Sequence, residues 1–380
     1  LEKKLSDINK SIHYFKLAAS QNNREAQCIL GKIYYGGKYI SIDYSIAIYY
    51  FQLAANQNHR EAQYFLGMIY KQEDKPFFDI KKSIHYFELS ADQNFSESML
   101  ELGFIYIEGR YVSRDINKAI YYLTLSSKLN NSNALNNLGI LYINGYYVKR
   151  DIKKALYYYF ESAKLNNEHA QINLAGLYGE GKFVEFDINK TIYYYELAAN
   201  QNNKDAQFNL GVIYSNEQYI PKDINKAIYY FEQAAKQKEP KSLFNLGYFY
   251  FEGKHVVRDI KKGLYYFKLA ADQNLERAQF QLGFIYSYGI NVPKDIYLAV
   301  KYLTLSSNQN NSESQLALGE IYETENDLRD INKALYYYQL SANQKNRKAL
   351  FSLGKIYNEG KLVPRDINKA IHFYEISAKQ

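Results

Sequence analysis

Tryptophan, cysteine and proline are scarce in this chain of 380 residues, which has no Trp, one Cys and five Pro. The single Cys28 excludes an internal disulfide framework, so the fold must depend on its apolar core. No apolar stretch approaches the roughly 18 residues of a membrane span, and we expect no direct membrane insertion. The scarcity of cysteine favours a reducing compartment. We therefore expect a cytoplasmic protein, although the lumen of the secretory pathway is also compatible with one cysteine.

Charge of one sign is not in large excess. The chain has 47 basic and 40 acidic residues, a net charge of +7. Its basic runs are no longer than pairs such as Lys81-Lys82 and Lys153-Lys154. A nucleic-acid-binding protein usually concentrates its basic residues on one patch. We therefore expect no nucleic-acid partner.

Signatures of catalysis, metal binding and nucleotide binding are absent or incomplete. The six histidines form no HExxH motif, and there is no Cys/His cluster. The segment GLYGEGKF, Gly176–Phe183, resembles a phosphate-binding loop. Phe183 replaces the hydroxyl residue that would bind Mg²⁺, and a helical pattern precedes the glycines. We expect no enzyme activity, no catalytic residue, no cofactor and no metal.

The chain contains instead a unit of about 36 residues that is repeated along its whole length. The segment RDINKAIYYL at Arg114–Leu123 returns nearly unchanged at Arg329–Tyr338 and at Arg365–Tyr374. Its Asp recurs in eleven copies at a spacing of 36 residues, with one step of 35 before Asp330. A period of this length is typical of solenoid arrays. The repeated acids are Asp7, Asp43, Asp79, Asp115, Asp151, Asp187, Asp223, Asp259, Asp295, Asp330 and Asp366.

The first helix of each unit begins at the repeated Asp. Its carboxylate can accept the orphan N–H groups of the first turn. After Asp115, the residues Ile116, Ala119, Ile120 and Leu123 share one face at helical spacing. The helix ends in small residues followed by an Asn, which tolerates the left-handed conformation of a C-terminal cap. These Asn residues are Asn22, Asn58, Asn94, Asn130, Asn166, Asn202, Asn274 and Asn310, and Lys238 and Lys345 occupy the same slot.

The second helix carries the motif LGxIY. Ala206, Leu210, Ile213 and Tyr214 share one face, with Gly211 in the middle of the helix. A mid-helix Gly costs about 1 kcal/mol relative to Ala, so its repetition predicts a close helix crossing. Most of the loops that follow contain a Gly. The loops without it carry Glu73, Glu217 or Glu325.

These patterns predict an all-α fold, an α-solenoid of about ten 36-residue helix-turn-helix repeats. Eleven Asp-capped helices would alternate with ten Gly-bearing helices. One unit cannot bury its own apolar face, but stacked units can. We expect a single solenoid domain over residues 1–380. Neither end shows a polar capping repeat, so we also expect the chain to be a segment of a longer protein.

The combination AQxxLGxIYxxGxxVxRDINKAIYYFxxAAxQN resembles the Sel-one-like repeat, a branch of the tetratricopeptide-like superfamily. The resemblance covers essentially the whole chain. The family usually has Trp seven residues after the Asp, where this chain has Tyr in ten copies and Phe373 in the last. The resemblance implies a right-handed superhelix that acts as a non-enzymatic scaffold or adaptor. It also implies a protein or peptide partner, bound as an extended segment in the concave groove.

The resemblance places the LGxIY helices on the concave face. Residues one and two positions before the Leu, and one after the Gly, are then candidates for partner binding. Amides can bond both the N–H and the C=O groups of an extended peptide, and aromatic rings supply anchoring area. The amide candidates are Asn137, Asn173, Asn209, Asn245 and Gln281, and the aromatic candidates are Phe208, Phe244, Phe280, Tyr248 and Phe284. Alternatively, the Asn is a structural consensus residue and the Phe rings pack between repeats.

Two other functions stay open on the sequence alone. The array could be the accessory part of a signalling enzyme, such as a kinase, whose catalytic domain lies outside this chain. It could also be an RNA-binding helical repeat, although its diffuse charge argues against this. Lys follows the Asp by three positions in nine of eleven copies, and it either pairs with that Asp or forms a basic ridge. The sequence carries no signal for oligomeric state.

Overall fold

Helices form all the regular structure of the residues that this computed structural model describes. These are residues 2–38 and 40–380, with only the backbone described for residues 2–7. They contain 21 α-helices and one short 3-10 helix, Asn326–Leu328. The chain divides into two compact units, unit 1 (Leu1–Tyr194) and unit 2 (Tyr195–Gln380).

Unit 1 is built from ten complete helices and the first part of an eleventh. They are α1 (Glu2–Ser20), α2 (Arg24–Gly36), α3 (Tyr44–Ala55), α4 (Arg60–Tyr70), α5 (Ile80–Ala91), α6 (Ser96–Glu108), α7 (Ile116–Lys128), α8 (Ser132–Asn144), α9 (Ile152–Lys164), α10 (Glu168–Glu180) and the start of α11 (Ile188–Asn200). From α1 to α10, each helix packs against the next one along the chain.

Unit 2 contains the rest of α11 and ten further helices. They are α12 (Lys204–Ser215), α13 (Ile224–Lys236), α14 (Pro240–Glu252), α15 (Ile260–Asp272), α16 (Glu276–Tyr288), α17 (Ile296–Asn308), α18 (Ser312–Thr324), α19 (Ile331–Asn343), α20 (Arg347–Glu359) and α21 (Ile367–Ala378). From α12 onward each helix again packs against its successor, which is the packing of an α-solenoid.

The repeated Asp caps the odd-numbered helices from α3 to α21, as predicted. In each case Oδ1 of the Asp accepts the N–H of the residue three positions later, at 2.9–3.1 Å. The prediction for Asp7 is wrong, because α1 begins at Glu2 and Asp7 therefore lies inside that helix. The side chain of Asp7 lies outside the described residues.

The predicted left-handed Asn ends the odd-numbered helices and joins them tightly to the next helix. The Asn residues in this slot have φ between 58° and 68°, and Lys238 and Lys345 have φ of 60° and 63°. After α1, the N–H of Asn22 donates to the carbonyl of Ala19 and the N–H of Asn23 to that of Ala18, the hydrogen bonds of a Schellman motif. Asn23 then caps α2 by accepting the N–H of Ala26. This second cap was not predicted from the sequence.

The mid-helix glycines allow a close crossing with the following helix. A Cβ at Gly31 would lie 2.5 Å from the ring of Phe51, and one at Gly247 would lie 2.6 Å from Phe267. The partner is always the residue eight positions after the Asp. The same contact joins Gly67 to Phe87, Gly103 to Leu123, Gly139 to Tyr159, Gly211 to Phe231, Gly283 to Leu303, Gly319 to Tyr338 and Gly354 to Tyr374. The predicted close crossing is confirmed. At each crossing the Gly side of the LGxIY helix faces the helix that follows.

Loops without a Gly end their helices differently. The loop glycines adopt φ of 60–69°, as Gly253 does at the end of α14. At the end of α18, Glu325 is extended, with φ −80° and ψ 114°, and the 3-10 helix follows it directly. At the end of α12 the capping residue, Asn216, is also extended. The shortened repeat is thus accommodated by a change in the loop.

Candidate partner-binding face

A repeated aromatic stack joins the C-terminal part of each LGxIY helix to the helix that follows. The Tyr of LGxIY lies parallel to the aromatic residue seven positions after the next Asp. Tyr106 and Tyr122 are an example, with ring centroids 6.1 Å apart and planes 4° apart. Lys118 lies 5.0 Å from the centroid of the Tyr106 ring. Burial raises the pKa of Tyr122 to about 12, so its phenol stays neutral at physiological pH.

The Lys three positions after the Asp is a structural residue. In five copies its amino group lies 3.3–4.0 Å from the carboxylate of its own Asp. It also sits over a Tyr of the preceding helix, as Lys262 does, 3.8 Å from the centroid of Tyr250. The hydrogen bond to Tyr250 raises the pKa of Lys262. Of the two alternatives left open by the sequence, these contacts support pairing of the Lys with its Asp.

Buried glutamines hold neighbouring repeats at a fixed spacing. Gln207 is 3% exposed, and its Oε1 accepts a hydrogen bond from Nε2 of Gln237, one repeat later, at 2.9 Å. The same bond joins Gln57 to Gln27, Gln93 to Gln63, Gln309 to Gln279 and Gln344 to Gln315. This ladder of glutamines was not predicted, although the recurring AQ and QN pairs in the sequence indicate where its members lie.

In unit 1 the predicted amides are used inside the protein. Nδ2 of Asn137 donates to the carbonyl of Asn133 at 2.7 Å, within its own helix. Nδ2 of Asn173 donates to Oδ1 of Asn136 at 3.0 Å, and this hydrogen bond joins two neighbouring repeats. Both side chains are half-buried. These hydrogen bonds fit the alternative interpretation, in which this Asn is structural.

In unit 2 the predicted amides have no such partners. Asn209, Asn245 and Gln281 occupy the same position in α12, α14 and α16, and each is half-buried. The described residues offer none of these three amides a hydrogen-bond partner, so they face solvent with both donor and acceptor available. We call these three residues the amide row.

The three predicted phenylalanines pack largely against the protein itself. Phe244 is 7% exposed and lies 5.3 Å from Phe267, and the guanidinium of Arg277 covers it at 4.9 Å. Phe208 lies 6.0 Å from Phe231 and is half-buried. Phe280 is half-buried beside Phe284, at 6.1 Å. These three rings are therefore used largely within the protein.

The two other predicted aromatic residues are exposed. Tyr248 is 45% exposed and Phe284 is 38% exposed, and they follow the mid-helix Gly in α14 and α16. Phe284 lies 4.7 Å from Tyr288, itself 60% exposed and not predicted. Tyr248 and Asn245 together line a cavity of about 320 Å³, whose lining also includes Lys222, Lys254 and His255. These basic side chains were not among the predicted site residues.

The histidines and acids do not assemble into a metal site within the described residues. His59 is 9% exposed and caps α4, because its Nδ1 accepts the N–H of Ala62 at 3.2 Å. Its Nε2 lies 3.0 Å from Glu25, and this hydrogen bond lowers the pKa of Glu25.

None of the helices formed by the described residues has both the length and the apolarity that a membrane span requires.

Family models identify the repeated unit. The Sel1 repeat model matches eleven consecutive segments, which run from residues 2–23 to 347–380 without a gap. The chain belongs to the Sel1 repeat family. Its fold is therefore that of a repeat scaffold, which is typical of protein-interaction modules. No curated protein matches the sequence.

Solved Sel1 repeat proteins have the same fold. The protective antigen c5321, present in uropathogenic Escherichia coli strains, superposes with a TM-score of 0.72 at 25% identity, over 97% of this chain and 79% of that one. A Sel1 repeat protein from Oxalobacter formigenes gives a TM-score of 0.63 at 28% identity, over 82% of this chain and 89% of that one. In this Sel1 repeat chain, the Tyr at the position where the resemblance expects Trp forms the aromatic stack, as Tyr122 does with Tyr106.

Proposed function

We propose that this chain is a non-enzymatic scaffold that binds an extended segment of a partner protein along the amide row. One observation carries the proposal: Asn209, Asn245 and Gln281 repeat the same half-buried amide, and the described residues offer none of the three a hydrogen-bond partner. An amide can donate to a backbone C=O and accept from a backbone N–H. A row of such amides therefore suits a main chain of any sequence, which is the general requirement of a segment-binding scaffold.

The spacing of the helices suits an extended backbone. Helices α12 and α14 are in direct contact, and packed helices lie roughly 8–10 Å apart. A polyproline II chain rises about 3.1 Å per residue and has three residues per turn, so it presents the same backbone face about every 9 Å. Asn209 and Asn245 would then meet residues three apart in the partner segment.

Exposed aromatic rings next to the row supply anchoring area. Tyr248 lies three positions after Asn245, and Phe284 three positions after Gln281, so each pair lies on one side of its helix. Aromatic rings bury a large area at a small cost in side-chain entropy and dominate many interfaces. In this proposal the amides fix the partner's main chain, while Tyr248 and Phe284 contact its side chains.

The test is a selection of displayed random linear peptides on the whole chain, followed by measurement of Kd for one synthetic winner by fluorescence anisotropy. The double substitution Asn209→Ala with Asn245→Ala removes two amides. We expect it to weaken binding about tenfold or more, since a hydrogen bond contributes roughly 0.5–1.5 kcal/mol. The thermal midpoint of unfolding should be nearly unchanged, because neither amide has a hydrogen-bond partner in the part of the chain that the structure describes.

Two matched substitutions separate binding from structure. Asn137→Ala removes the equivalent amide in unit 1, whose hydrogen bond is to its own helix. This substitution should leave the peptide Kd unchanged. Asn173→Ala removes an inter-repeat bond and should lower the thermal midpoint. The proposal fails if no peptide is selected, or if the Asn209/Asn245 variant binds the winner as tightly as the original chain.

A further inference from the structure

The cavity beside Asn245 is lined by both apolar and polar side chains. The apolar ones include Phe231, which is 1% exposed, and the half-buried Phe249. Asn245, a member of the amide row, and Tyr248 also line it. With a volume of about 320 Å³, the cavity can hold one side chain of a bound segment. Apolar side chains in the lining lower the local dielectric constant and so strengthen polar contacts made within the cavity.

The lining of this cavity carries more basic than acidic side chains. Lys222 and Lys254 carry positive charge, His255 lies beside them, and Glu252 is the one carboxylate of the lining. Nζ of Lys222 lies 2.9 Å from Nε2 of His255. Because the ammonium group is only a donor, Nε2 accepts in this contact. The two ammonium groups therefore outnumber the carboxylate, and Lys222 has no anionic partner among the described residues.

In other repeats, the basic residue equivalent to Lys222 either forms an ion pair or makes hydrogen bonds within the protein. Arg114 and Arg150 precede the Asp as Lys222 does, but their guanidinium groups donate to carbonyls at the end of the preceding helix, at 2.8 and 3.1 Å. They also cover Tyr147 and Phe183, the residues that occupy the His255 position in those repeats. Lys294, one further equivalent, forms an ion pair with Glu325 at 2.8 Å. Lys222 makes neither kind of contact.

We infer that this cavity binds the carboxylate of an acidic side chain carried by the partner segment. The inference rests on the proposed function, because the same segment must lie along the amide row. The carboxylate would accept hydrogen bonds from Lys222, Lys254 and the amide of Asn245, while its methylene groups pack on Tyr248. Charge-assisted hydrogen bonds of this kind are about twice as strong as neutral ones.

Glu252 limits the cavity to a single acid. Its carboxylate lies on the same lining, so a second negative charge in the segment would meet repulsion there. The site therefore prefers one isolated acidic residue over an acidic run. Replacing Glu252 by Gln removes the repulsion and should increase the affinity for peptides with adjacent acidic residues.

The test compares a selected acidic peptide with the same peptide carrying Asn for Asp, or Gln for Glu, at the central acid. The original chain should bind the amide peptide about tenfold more weakly. The double variant Lys222→Gln with Lys254→Gln should bind the two peptides equally. Lys182→Gln is the matched control, since Lys182 occupies the Lys254 position of its repeat and lies over Phe183. This control should keep the full preference.

The outcomes separate this inference from the function on which it rests. Selected peptides that depend on Asn209 and Asn245 but show no preference for an acid would refute the acidic subsite and leave the scaffold function standing. If no peptide is selected, both fail. A single-stranded RNA oligonucleotide that binds the original chain, and is lost in the Lys222/Lys254 variant, would assign the cavity to a phosphate and overturn the inference. Unchanged binding of doubly acidic peptides by Glu252→Gln would refute the role of Glu252.

Discussion

At the scale of single residues, two buried serines stand out. Ser98 and Ser242 are fully buried, and the described residues offer neither hydroxyl a hydrogen-bond partner. Most other repeats have Ala at this position, as at Ala134 and Ala278. A buried hydroxyl without a partner costs roughly 1–3 kcal/mol. Ser98→Ala and Ser242→Ala should therefore each stabilise the protein by about 1 kcal/mol, measured as an increase in the free energy of unfolding in urea.

The control for this prediction is the third serine at the same position. Ser314 donates to Oγ of Ser306 at 2.8 Å. Ser314→Ala should consequently destabilise the protein by about 0.5–1.5 kcal/mol, because it removes a made hydrogen bond. A decrease in stability for Ser98→Ala and Ser242→Ala as well would show that their hydroxyls have partners in solution.

At the scale of helices, the Asp caps make stability depend on pH. The backbone N–H of Lys82 lowers the pKa of Asp79, and that of Lys190 lowers the pKa of Asp187. A carboxyl group with a lowered folded-state pKa stabilises the fold above its unfolded pKa, which is about 3.9. That stabilisation is lost as the pH falls through the lower folded-state value. We expect the urea midpoint to decrease steeply below about pH 4.

Two substitutions at Asp151 separate the contribution of the cap from that of the charge. Asp151→Ala removes a cap whose Oδ1 accepts the N–H of Lys154 at 3.0 Å, and it should cost roughly 0.5–2 kcal/mol at neutral pH. Asp151→Asn keeps a side-chain acceptor and should cost clearly less. An unchanged thermal midpoint for Asp151→Ala would contradict the capping role.

Local patterns made the helices predictable, whereas contacts between repeats were not. The Asp caps, the left-handed Asn and the mid-helix Gly each act within a few residues, so the sequence indicates them directly. Gln207 and Gln237 pair across 30 positions, and only the stacking of repeats brings them together. For the same reason the sequence could not distinguish Asn173, which bonds Asn136, from Asn209, which bonds nothing within the described residues.

At the scale of the whole molecule, the shortened repeat should be a weak point of unit 2. Glu325 replaces the left-handed Gly, and the crossing at Gly319 is filled by Tyr338, whose hydroxyl lies 2.6 Å from Oε2 of Glu323. Burial also raises the pKa of Glu320 nearby. In a solenoid the poorest interfaces open first. Local opening at this repeat would leave the helical fold of unit 2 intact.

Amide hydrogen exchange read by mass spectrometry tests this weak point. We expect peptides that cover Glu323–Arg329 to exchange about tenfold faster than those from Arg150–Lys190 in unit 1. The glycine-capped loop Gly253–Arg258, in the same unit as the shortened repeat, is the control and should resemble the unit 1 region. Uniform protection of the three regions would contradict the prediction.

The most direct measurement is a crystal structure of the chain with a peptide selected on it. The peptide should lie extended across α12, α14 and α16, with its backbone about 2.7–3.2 Å from the amides of Asn209, Asn245 and Gln281. An acidic side chain should enter the cavity between Lys222 and Lys254. A peptide bound to another surface, with the amide row still facing solvent, would contradict the proposed binding face.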